Sequence, residues 1–304
     1  MLWLYLTILS YFLFANVTIA DKYLLKARIP DPETYAFYVG ILSMVYFSLI
    51  PFGFFIPNLY LIFLSVSTGA IYIIYLFCFY KALKIQETSI VAPIVGALSP
   101  IFTFLLFVLF SKKFYITYQQ TFAFLLLILG TVLISYSKLL EKIYSFKSLF
   151  LPILSSFFLG LFFTLAKFVY SSLPFINGLI WIKVGCFLTG LLFLISHKTR
   201  KYITKISLPS PYFKKTGIIF IGKEITGGLG SILQHLAVFL AKVGEVAFIS
   251  ALQGMQYIFI LILSIILSVK FPYILKEELS KKVILKKTIA ILLIALGLWV
   301  LAIS

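Results

Sequence analysis

Apolar residues run along this chain in long unbroken stretches separated by short polar clusters, and nowhere do they alternate with a period of two. The stretches are Leu2–Ala20, Tyr35–Ile56, a third that follows Pro57-Asn58 and ends near Tyr80, Thr88–Phe110, and Tyr118–Tyr136. After a polar interval come Leu151–Tyr170, Gly178–Ser196, Gly217–Leu240, Val246–Val269 and Thr288–Ile303. A helix of about 20 residues crosses a hydrocarbon core about 30 Å thick. Backbone in lipid must satisfy its own hydrogen bonds, so runs of this length predict spanning helices, and the missing alternation excludes a membrane barrel. Thr18-Ile19-Ala20 resembles a signal-cleavage site, but no basic residue precedes the first run, which therefore reads as a retained helix.

The pattern repeats. TGAIYIIYLFCFYKALKIQETSIVAPIVGALSP, from Thr68, returns without a gap from Thr226 as TGGLGSILQHLAVFLAKVGEVAFISALQGMQYI. Thr68-Gly69 falls on Thr226-Gly227, Lys84 on Lys242, Glu87 on Glu245 and Gly96 on Gly254. QQTFAFLLLILGTVLISYS, from Gln119, matches KKTIAILLIALGLWVLAIS, from Lys286, with Ala123 on Ala290 and Gly130 on Gly297. The second copy carries a few extra residues around FPYILKEEL. Thr18-Ile19-Ala20 against Thr164-Leu165-Ala166 extends the likeness to the first and sixth runs. A duplication fixes architecture before any single residue is read. The expectation is an all-α integral membrane protein of ten transmembrane helices, as two five-helix repeats covering residues 1–147 and 148–304. An odd number of spans per repeat sets the two copies in opposite orientations. Inverted repeats recur in secondary transporters, where two halves exchange inward and outward roles around one site.

Composition sharpens this. The chain is 62% hydrophobic and 12% charged, against roughly 25% charged in soluble domains. Its net charge of +17 comes from loop lysines, which suit an anionic lipid surface and not a nucleic acid. Cys78 and Cys186 both fall in apolar runs and offer neither a disulfide framework nor a metal set. No His-Glu-x-x-His, Gly-x-Ser-x-Gly or P-loop occurs, and no cofactor is expected. The chain is not read as an enzyme. A membrane-embedded lipid-modifying enzyme and a non-transporting scaffold subunit are the alternatives to a carrier.

Phe79-Tyr80-Lys81-Ala82-Leu83, the small-residue stretch Ser89–Leu98, and Ser99-Pro100-Ile101-Phe102 carry a resemblance. With Gly130 and Gly297 they resemble the drug/metabolite transporter superfamily, in particular its EamA-type ten-helix members. The likeness extends over nearly the whole chain. It departs where Ser111-Lys112-Lys113 replaces the family's Gly-Glu, and where Ala251 and Ile258 stand opposite Pro93 and Pro100. The resemblance implies a carrier of small solutes with a central cavity, driven by protons or by exchange.

Loops after odd-numbered spans hold Lys22, Lys26, Arg28, Lys81, Lys84, Lys138, Lys142, Lys147 and the basic runs 198–215 and 270–287. The other side holds Lys112, Lys113 and Lys242. Retention of Lys and Arg in the cytoplasm places both termini outside, whereas the resemblance implies both inside. Orientation stays open between them. The expected location is the cell membrane, with lipids and a small solute as partners, and no oligomeric state is indicated.

Polar side chains within spans are the site candidates, since an ionisable group in hydrocarbon tends to line a pathway or find a partner. Lys167 could bind an anionic substrate, neutralise a carboxylate, or snorkel to the interface. Lys183, taken as a turn into its span, is expected to snorkel. His235 and Glu224, in the run Lys223-Glu224 to Gln234-His235, are candidates for proton coupling. Each has a plainer reading, an interhelix hydrogen bond for His235 and a lysine partner for Glu224. Gln253 and Gln256 share a helical face, and with Gln234, Asn16 and the aromatic wall Tyr72 and Tyr75 they complete the candidate substrate-binding set. The functional expectation is a secondary carrier of small polar or amphipathic metabolites, working by alternating access.

Overall fold

The computed structural model describes residues 2–25, 32–85, 88–111, 117–139, 146–204, 212–270 and 281–303. In chain order the helices are α1 (Leu2–Leu25), α2 (Pro32–Leu42), α3 (Leu59–Ile85), α4 (Thr88–Phe110), α5 (Tyr118–Leu139) and α6 (Phe146–Ser172). They continue with α7 (Phe175–Leu192), α8 (His197–Thr204), α9 (Tyr212–Leu240), α10 (Val246–Ala251), α11 (Gln253–Lys270) and α12 (Lys281–Ile303). No strand occurs among the described residues. Among them, six stretches are long and apolar enough to cross a membrane: Leu2–Ala20, Pro32–Phe52, Leu59–Ile85, Leu149–Ser172, Phe175–Ile195 and Val243–Ile260. Shorter apolar stretches, Ile94–Phe110, Tyr118–Leu133 and Ile289–Val300, lie in α4, α5 and α12. Lys26, Arg28, Lys112, Lys113 and Lys142, on which the orientation count rests, lie outside the described residues, as do Glu87 and FPYILKEEL.

Local chemistry explains where elements begin. Pro32 opens α2, where its missing N–H costs nothing. The Asn58 carboxamide accepts from Leu61 N at 2.9 Å and caps α3. Thr117 and Gln120 exchange side-chain and backbone bonds at 3.2 and 3.3 Å, a capping box for α5. Pro174 precedes α7. Two runs expected as single helices are interrupted. The second passes at Ser43 into a 3₁₀ segment, Ser43–Phe52, that contains Pro51 and ends at Gly53, whose φ of 127° only glycine adopts readily. The ninth breaks at Leu252, between α10 and α11. The basic loop after the seventh run folds in part as α8.

The outer surface is apolar. Leu2, Tyr5, Leu9 and Phe12 form one exposed stripe on α1, while Thr7, Ser10 and Tyr11 face inward. Ile221, Ile225 and Leu229 do the same on α9, and Ile289, Leu292, Leu296 and Trp299 on α12. Stripes of this extent do not stay in water. The protein is an all-helical, membrane-embedded chain. Many inward hydroxyls are satisfied within their own helix, as Thr68 Oγ1 to Leu64 O (2.7 Å), Thr103 to Ser99 (2.8 Å) and Thr164 to Gly160 (2.9 Å).

Helix directions follow from the contacts. Phe55 N meets Asn177 and Phe77 stacks near Phe193, so α3 and α7 run parallel. Gly160 abuts Ser99 and Phe102 while Phe107 meets Phe168, so α4 and α6 are also parallel. Gly130 of α5 abuts Ala290 and Ile294, and Gly297 of α12 abuts Ala123 and Leu127, so that pair is antiparallel. The last contact is reciprocal: each glycine faces the residues that match its partner's neighbours in the sequence repeat.

Candidate functional site

The polar interior lies where α6, α7 and α9 face α3 and the 3₁₀ segment. His235, on α9, is 5% exposed, and its Nδ1 lies 2.8 Å from the Tyr170 hydroxyl of α6. The imidazole also meets the Phe162 ring edge-on, with centroids 5.7 Å apart. Tyr72 of α3 packs on Phe162 at 4.9 Å and near Tyr75 at 5.8 Å, so this part of the expected aromatic wall is assembled.

Lys183 overturns its expectation. It does not snorkel: at 5% exposure it lies inside the protein, donating to Ser231 Oγ of α9 at 3.1 Å. Its ammonium sits 4.5 Å from the Tyr46 ring centroid and 5.7 Å from that of Tyr72. The reason is where the helix begins. α7 starts at Phe175, after Pro174, and the helical chain runs on to Ile195, which puts Lys183 in mid-span. Leu173-Pro174 was the signal that could have moved the predicted start back from Gly178. Tyr46 closes the group by donating to the Gly228 carbonyl at 3.0 Å.

A second cluster surrounds the interruption between α10 and α11. The Tyr11 hydroxyl of α1 donates to the Ile249 carbonyl at 2.8 Å, and the half-buried Gln234 of α9 lies beside this tyrosine. Ser99 and Ser250 join α4 to α10 at 3.0 Å. Gln256 Nε2 donates to Thr18 Oγ1 of α1 at 3.1 Å, and Gln253 opens α11, half-buried.

Three candidates stand apart. Lys167 donates to the carbonyls of Val238 (3.3 Å) and Phe239 (3.0 Å), the last turn of α9. That is the position where a cation best meets a helix C-terminus. Glu224 lies 2.9 Å from Lys223, with its side chain 30% exposed. Asn16 Nδ2 donates to Phe12 O of its own helix at 2.8 Å.

The matched glycines of the repeat have unlike surroundings. A methyl group on Gly69 would collide with the Ile182 carbonyl and the backbone of Gly185 and Cys186, so α3 and α7 touch backbone to backbone. Cys186 Sγ donates to Gly69 O at 3.4 Å across that seam. Among the described residues, the same methyl on Gly227 would meet only Val17 Cγ2, at 3.6 Å, and on Gly228 only the Tyr46 hydroxyl, at 3.8 Å. Among the described residues, α9 reaches α2 and the 3₁₀ segment through long side chains, Tyr46 to Gly228 and Lys223 over the Tyr35 ring at 5.7 Å.

No protein-family model matches the chain, and no curated protein sequence matches it. A solved crystal structure superimposes on it with a TM-score of 0.69 at 13% identity, over 98% of this chain and 95% of the other. At that identity the likeness shows a shared fold and leaves activity undetermined.

Proposed function

We propose that the chain is a secondary carrier of the EamA-type drug/metabolite kind, ten spans built as two inverted five-span repeats, moving small polar or amphipathic metabolites across the cell membrane. Each half contributes one spanning set: α1 to α5, and α6, α7, α9, the interrupted α10–α11 and α12, with α8 in the loop between α7 and α9. Ten alternating crossings require spans three and seven, and four and six, to run parallel and five and ten antiparallel, as the contacts have it. The reciprocal contact of α5 with α12 supports the inversion. Two copies of one helix that run antiparallel are related by an axis perpendicular to both, which lies in the membrane plane when both cross it.

One observation carries the functional reading: Gly69 is locked backbone to backbone against α7, while among the described residues its match, Gly227, meets only a side-chain carbon of α1 at ordinary contact distance. Halves of like sequence packed unlike at matched positions are what a carrier has when one side is shut and the other is not. The interrupted ninth span adds weight, because discontinuous helices line solute sites in such carriers. The substrate pathway would run past Tyr72, Tyr75, Lys183, Gln234, His235 and Gln256, with Gln253 at the break.

Purified protein in liposomes, given a metabolite panel with and without a proton gradient, tests this. Uptake or exchange of at least one solute class is expected. No flux of any class contradicts it. Proton coupling is assigned to His235, with Glu224 held by Lys223 at one end. His235→Gln then abolishes any proton dependence of uptake. An unchanged pH profile would make His235 a packing residue.

A further inference from the structure

We infer that Lys183, with Ser231 and Tyr46, forms an organic-anion site between α7, α9 and the 3₁₀ segment. The inference rests on the carrier reading and names its substrate class. An ammonium withdrawn from water carries a desolvation penalty that persists after relaxation. Lys183 is 5% exposed, and no carboxylate among the described residues meets it. Glu33 bonds Ser196, Glu224 pairs with Lys223, and Glu245 accepts from Lys242 N at 2.6 Å. What Lys183 does have is one hydroxyl acceptor and two tyrosine faces, one of them at 5.7 Å. An ammonium offers three donors, so the charge is partly stabilised and incompletely satisfied. An anion completes it.

The surroundings fit one. Ser231 accepts from Lys183 and keeps its own proton to donate. The next turn of α9 toward its N-terminus is Gly227-Gly228, where among the described residues an added methyl would meet nothing nearer than 3.6 and 3.8 Å, so no side chain of this turn screens its backbone. Tyr72 and Phe162, packed at 4.9 Å, present an aromatic surface beside the ammonium. The occupant is therefore a carboxylate or phosphate attached to a small apolar or planar body. Lys167 does not compete for it, since its donors reach the end of α9.

The test is thermal stabilisation of the full-length protein in detergent. The probes are 3-phenylpropionate and glycerol 3-phosphate, with 3-phenylpropanol and glycerol as neutral counterparts. At least one anion is expected to raise the melting temperature while its neutral counterpart does not. Lys183→Gln should weaken that response at least about tenfold, the loss of one charge-assisted hydrogen bond, and Lys183→Arg should retain part of it. Should Lys183→Gln fail to fold, Ser231→Ala serves, with weakening of several-fold expected and unchanged affinity overturning the assignment. Equal stabilisation of Lys183→Gln and wild type, or no response to either anion, also overturns it. Nanodiscs of phosphatidylglycerol against phosphatidylcholine form the lipid arm. Stabilisation by phosphatidylglycerol alone would assign the site to a lipid head and overturn a solute. Anion binding through Lys183 without flux would leave this inference standing and remove the carrier. Flux of neutral solutes indifferent to Lys183→Gln would do the reverse.

Discussion

A lysine inside hydrocarbon is stable only if its charge and donors are met; the fold meets Lys167 with two carbonyls and Lys183 only in part, with one hydroxyl and two tyrosine faces. Lys167 bonds two carbonyls that the end of α9 leaves without helical partners. Lys167→Met should therefore lower stability by about 1–2 kcal/mol, the worth of a partly buried cation at a helix C-terminus, and leave solute affinity unchanged. Thermal unfolding with a parallel binding titration checks both, and a large affinity loss at unchanged stability would return Lys167 to the site. The sequence ranked these two lysines the other way. Hydropathy locates a charge along a span but not around it, and a misplaced helix start of three residues moved Lys183 from the middle to the end. His235, Gln234 and Gln256 were legible because polar groups in apolar runs are rare. The tyrosines of the interior, Tyr170 beside His235, Tyr11 on the Ile249 carbonyl and Tyr46 beside Lys183, were not, since 19 tyrosines occur in the chain and nothing local separates a hydrogen-bonded one from a packed one.

At the scale of elements, run length was readable and interruption was not. The 3₁₀ segment Ser43–Phe52 has a local cause in Pro51 and Gly53. The break at Leu252 has none in its own sequence and is held by tertiary bonds, Tyr11 to Ile249 and Ser99 to Ser250. Glycines tell a similar story. Gly69 and Gly227 match in the repeat, yet one sits in a backbone-to-backbone seam and the other does not. Small residues permit close helix approach without dictating which helices approach. Gly69→Ala should destabilise the protein by about 1–3 kcal/mol, as overpacking does. Gly227→Ala should be neutral or slightly stabilising, since alanine is the better helix former. Melting curves of both variants in one detergent decide it, and equal losses would deny the difference between the two seams.

For the whole molecule, the fold brings together two stretches that resemble each other in sequence, α5 against α12 through Ala123, Leu127 and Gly130 and their matches Ala290, Ile294 and Gly297. The unlike packing of α3 on α7 and of α9 beside α2 was beyond the reach of the sequence, because two near-equal halves write the same pattern whichever seam is closed. That inequality is the structural basis for reading the chain as a carrier, and it has a kinetic consequence. A site that opens to one side at a time must return loaded or empty before it can act again, so solute inside drives solute outside through the same site. Counterflow measures this directly: liposomes holding the protein are preloaded with unlabelled solute and diluted into a trace of the labelled form. Alternating access predicts a transient accumulation of label above its equilibrium level. Label that rises only to equilibrium, at a rate independent of the solute inside, would contradict it.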